Sequence, residues 1–185
     1  MWFWVLAASL GTVAAVPVVI HAQQQYKDIA LPPYEFYEAL VGYAENENYD
    51  GLGRAMRHLD PLFSAVRERF GTDVKGDMQL GMRQRDNQKV LASIFRLLFL
   101  DMKLNLEAAR KARPADKNQM IEMGYLNYRF LSPRVAARNK KMDAAIKADF
   151  KAAYRSEDAT VVAEKVKAIV SSASELFNGS GDERP

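Results

Sequence analysis

The stretch from Gln88 to Arg110, QKVLASIFRLLFLDMKLNLEAAR, constrains the chain more than any other. It holds no Gly or Pro and is filled with strong helix formers. Apolar residues fall at Val90, Leu91, Ile94, Phe95, Leu97, Leu98, Phe99, Leu100, Met102, Leu104 and Leu106, on nearly every side of the central turns. A helix apolar most of the way round is stable when other helices surround it. The chain is therefore expected to be all-α, with 88–110 as a central apolar helix. Arg96 and Asp101 interrupt the apolar surroundings at i, i+5, poor spacing for pairing with each other. If buried, each needs a partner from another helix.

The flanking sequence supplies such helices. After an extended lead-in over 23–33, Pro32-Pro33 opens a helix running from Tyr34 to about Asn46. A second spans Asp50 to Phe70, kinked at Asp60-Pro61 or broken there with Asp60 as a new N-cap, and closed by Gly71. Thr72-Asp73 can cap a short helix through Leu80, and Asp86-Asn87 starts the central one. The helical region from Asp116 to about Arg155 is expected to be interrupted at Ser132-Pro133. A last helix carries Val161 to Phe177 and ends at Asn178-Gly179. No stretch alternates with period two between hairpin signals. The expectation is an antiparallel bundle of about five helices with short connections over 34–178, then a disordered tail, 179–185.

Residues 1–22, MWFWVLAASLGTVAAVPVVIHA, contain no Asp, Glu, Lys or Arg and run straight into Gln23-Gln24-Gln25. Pro17 breaks the apolar run and Ile20-His21-Ala22 ends on a small residue, which reads as a signal peptide cleaved after Ala22, although the n-region lacks a basic residue. Retained, the same 22 residues at about 1.5 Å each just span a bilayer as an anchor. Both readings place the bundle in the periplasm or outside the cell. The chain has no Cys, which excludes disulfides, thiolate-ligated metals, covalent haem and a Cys nucleophile. Stability must come from helix packing.

Charge is the next constraint. A net charge of +3 without basic clusters interleaved with aromatics does not describe a nucleic-acid-binding surface. Its distribution is uneven. Residues 34–50 carry Glu35, Glu38, Glu45, Glu47 and Asp50 with no Lys or Arg. Residues 134–155 carry seven Lys and Arg against Asp143 and Asp149. Lys140, Lys147, Lys151 and Arg155 are spaced i, i+7, i+11 and i+15, near one helical face. Such a stripe can dock an acidic protein partner of the envelope or an anionic membrane surface. It can equally be a solvated face. Tyr34 and Tyr37, on the acidic helix, suit an interface.

A ligand or metal site is the alternative. His58 is the single His after residue 22, and Met56 lies two residues before it. With Glu38, Glu45, Asp101 and Arg96 it offers donors for iron, copper or a non-covalent haem. No Glu-x-x-His pair of the di-iron kind is present, so no cofactor is assigned. Nor is there a P-loop, Rossmann fingerprint, GxSxG or HExxH. The function expected is that of an exported, non-enzymatic interaction or accessory subunit of the cell envelope.

Overall fold

A computed structural model describes residues 33–177, with side chains from Phe36 onward. The signal or anchor segment 1–22, most of the lead-in and the tail 179–185 lie outside the described residues. Among the described residues every regular element is a helix: α1 Pro33–Glu45, α2 Tyr49–His58, α3 Asp60–Phe70, α4 Val74–Gln84, α5 Asn87–Ala109, α6 Pro114–Arg138, α7 Lys140–Arg155 and α8 Ala159–Phe177. None of them is long and apolar enough to cross a membrane.

Helix α5 is the central post. It packs against α1, α3, α4, α6 and α8. Val90, Ile94, Leu97, Leu98, Phe99, Met102 and Leu106 are fully buried, so different sides of the helix serve different neighbours. Each such side chain contributes roughly 1.5–3 kcal/mol of burial. Phe99 stacks on Phe177 of α8, with ring centroids 5.9 Å apart. Lys103 lies 4.5 Å over the Phe70 ring of α3, and Glu107 pairs with Arg69 at 2.7 Å. Two helices come especially close to α5. A Cβ on Gly124 of α6 would lie 3.1 Å from Leu106 Cγ, so Leu106 would have to give by a few tenths of an ångström. A Cβ on Gly81 of α4 would lie 2.9 Å from Val90 Cγ2 and 3.1 Å from the Val90 nitrogen.

Local chemistry sets most of the helix ends. Asp73 and Asp86 cap α4 and α5 by accepting from the nitrogens of Gly76 and Lys89. Gly71 ends α3 in the left-handed region, φ 67°, with its N–H on the Arg67 carbonyl. Three boundaries differ from expectation. The break before Pro61 is present, but Leu59 is the N-cap, so Asp60 and Pro61 open α3. Helix α4 passes Leu80 and ends at Gln84, where Arg85 takes the left-handed cap. The interruption expected at Ser132-Pro133 does not occur. Helix α6 continues through Pro133 to Arg138, and the chain turns at Asn139 instead. Pro133 faces solvent while Leu131, Ser132 and Val135 on either side are buried. A proline inside a helix costs about 3 kcal/mol. Burying Leu131 and Val135 offsets that. Asn139 makes the better stop, because its Oδ1 accepts from both Lys141 and Met142 nitrogens at 3.0 Å.

Candidate functional site: a basic groove between α6 and α7

Helix α7 divides its sides among three tasks. At 100° per residue, Met142, Ile146, Asp149 and Ala153 fall on one side. This side serves α8: Ile146 and Ala153 are buried, and Asp149 meets Lys165 of α8 at 3.1 Å. Asp143 and Phe150 turn toward α6. Lys140, Lys147, Lys151 and Arg155 share the remaining flank, and all four are exposed. The stripe read from spacing is therefore a real surface.

Beside that flank runs an open groove of about 590 Å³. Ile121, Glu122 and Tyr125 of α6 line it with Lys147, Phe150, Lys151, Tyr154 and Arg155 of α7. Its floor is aromatic. Tyr125 meets Phe150 edge-on at 5.3 Å, and Phe150 lies 5.5 Å from Tyr128 behind it. Tyr154 stands at the rim, 46% exposed, the one large exposed hydrophobic side chain among the described residues. Its helix end is held from α6, where the Lys117 ammonium donates to the carbonyls of Tyr154 and Ser156. These are carbonyls that the end of α7 leaves without helical donors.

A buried polar centre supports the groove from behind. Asp143 is 8% exposed. Its Oδ1 accepts from the Tyr128 hydroxyl at 2.8 Å and the Ser132 hydroxyl at 2.7 Å, and its Oδ2 from Lys147 Nζ at 2.7 Å. Burial works against the carboxylate charge, but the three hydrogen bonds and the Lys147 charge outweigh it and hold the carboxyl below its usual value. Burial, and then the Asp143 hydrogen bond and charge, push the Tyr128 hydroxyl far up, so it remains a donor. Lys147 thus joins the groove rim to the α6–α7 core.

The other candidate residues are dispersed. Asp101 is 2% exposed and does find its partner on another helix, as burial demands: Tyr37 of α1 donates to its Oδ2 at 2.6 Å. Asn105 donates to its Oδ1 at 3.1 Å. Tyr37 was expected on a docking face. Instead it is buried, its ring edge-on to Phe130 at 6.3 Å, and it ties α1 to α5 and α6. The Tyr34 side chain lies outside the described ones. Arg96 is half-buried, 3.7 Å from Asp77 of α4. Glu38 and Glu45 are exposed on α1. Glu45 faces Arg134, which lies 3.7 Å over the Phe95 ring; burial there lowers the guanidinium pKa and the Glu45 charge opposes the shift. His58 is exposed at the end of α2, whereas Met56 is buried. No three His, Cys, Asp or Glu side chains converge among the described residues.

Sequence reasoning found the cations of this site and missed its apolar half. Phe150 and Tyr154, at i, i+4 beside Lys147 and Lys151, were the available signal. The chain matches no family model, no curated protein and no solved structure in comparisons with each.

Proposed function

We propose that the protein is a non-enzymatic accessory subunit of the cell envelope that docks an anionic partner protein through the α6–α7 groove. The observation that carries this reading is one flank of α7, where exposed cations border a concave aromatic floor. Aromatic anchors and Arg are the side chains that interfaces favour, and a single-sign rim steers an oppositely charged partner. Residues 1–22 support placement in the periplasm or outside the cell, released or anchored. The packing of α5 against five neighbours and the short connections support an antiparallel bundle about that helix.

The test is recovery of a partner by the tagged full chain from envelope fractions at low salt. K140E/K151E/R155E, a change confined to exposed side chains, should fold normally and lose that partner. A wild-type chain confined to the cytoplasm, or equal recovery by wild type and variant, overturns the proposal.

A further inference from the structure

We infer that the occupant of the groove is an acidic amphipathic helix lying along α6 and α7. This inference rests on the docking reading above and names the partner's form. The shape of the groove selects against a flat surface. Ile121 and Phe150 at the bottom are already covered by the chain's own helices, so the apolar surface left for an occupant is that of half-buried Tyr125 and exposed Tyr154, set between the two helices. A bilayer surface would need a convex apolar face. Among the described residues the single large exposed hydrophobic side chain is Tyr154.

The walls favour a helix over a strand. Both walls are helices whose backbone groups bond within the helix, so they offer no free edge for a strand to extend. They offer side chains at i, i+4 and i, i+4, i+8: Ile121 and Tyr125 on α6; Lys147, Lys151 and Arg155 on α7. Eight residues of helix are about 12 Å of wall. Ridges at that spacing complement those of another helix.

Charge is divided unequally between the walls. Every cation of the groove stands on the α7 wall, and Glu122 stands on the α6 wall. Lys147 is engaged by Asp143. Lys151 and Arg155 have no ion pair among the described residues, so they are available to carboxylates. The rim therefore sets the roll of the occupant: its acidic side lies against α7, its apolar stripe faces the floor, and a basic or neutral side chain meets Glu122.

Three designed peptides of about five helical turns test this by fluorescence anisotropy with the full chain. The first has an apolar stripe at i, i+3, i+4, i+7 and Glu on one flank. The second is its scramble, and the third carries Lys in place of Glu. The first should bind at least ~10-fold more tightly than the others and gain helical circular dichroism on binding. K151E/R155E should weaken it by ~10-fold, as expected for two rim charges within the range of exposed pairs, and shift preference to the Lys peptide. Tyr154→Ala, at an exposed position, should weaken the first peptide while the melting curve stays in place. Equal binding of the scramble, or binding by none of the three, overturns the inference. So does tighter, Lys151-dependent binding to phosphatidylglycerol vesicles. If the full chain still recovers a groove-dependent partner while the peptides fail, the helix is wrong and the docking reading stands. If the partner is lost too, both fall.

Discussion

Replacing Asp143 separates the two kinds of interaction that hold α7 against α6. Asp143→Ala removes one acceptor from two hydroxyls that donate to it in the interior, Tyr128 at 2.8 Å and Ser132 at 2.7 Å. Hydrogen bonds to a charged group contribute roughly 1.5–3 kcal/mol each. Recovered desolvation of the carboxylate offsets part of that sum. Lys147, more than a third exposed, turns to water at little cost. The net expectation is a loss of about 2–4 kcal/mol. Asp143→Asn keeps an oxygen for both hydroxyls, makes their bonds neutral and gives up the ion pair with Lys147, a loss of about 1–2 kcal/mol after recovered desolvation. Urea unfolding at neutral pH, followed by circular dichroism, should show that ordering with unchanged slope. The pH dependence adds a second reading. A carboxyl held below its usual value contributes stability that is complete above about pH 4 and is lost as pH falls through the folded value. The gap between wild type and Asp143→Asn should therefore close in acid. Equal losses for the two variants would mean that the Lys147 pair dominates. Losses below about 0.5 kcal/mol for both would mean that the centre does not hold α6 to α7.

Other positions give independent checks. Tyr37→Phe keeps the ring against Phe130 and deletes the hydroxyl bond to Asp101, so unfolding free energy should drop by about 1.5–3 kcal/mol in urea melts. Gly81→Ala should lower the melting temperature although alanine favours helix, because its Cβ meets the Val90 backbone nitrogen at 3.1 Å; a rise would show that α4 can move off α5. Asn139→Ala removes the acceptor for two nitrogens at the start of α7, with an expected loss of about 1 kcal/mol by the same assay.

What the residues disclosed in order depended on how local the cause was. Helix α5 was legible because its own composition carries the information: no breaker for more than five turns and apolar residues on every side. Gly71, Asp73 and Asp86 were legible for the same reason, since a cap acts within four residues. The path of α6 was not. Pro133 is the louder local signal, but Leu131, Ser132 and Val135 are docked from a distance, and tertiary burial exceeds the penalty of one proline. Arg96 and Asp101 were visibly out of place on α5 and visibly not each other's partners. Their mates, Asp77 and Tyr37, lie on α4 and α1, and nothing local connects them. The stripe on α7 could be counted from spacing alone. Its aromatic part could be counted only on α7, from Phe150 and Tyr154; Tyr125 meets Phe150 across a turn expected at Pro133 and found at Asn139.

Docking through the α6–α7 groove can be read in intact cells by site-specific photocrosslinking. A photoreactive residue at Tyr154 of the full chain should trap one partner as a discrete adduct, which K151E/R155E abolishes. The same residue at exposed Glu68 on α3 should trap none. Adducts of equal yield at both positions, or an adduct at Tyr154 indifferent to the charge reversal, would contradict the account.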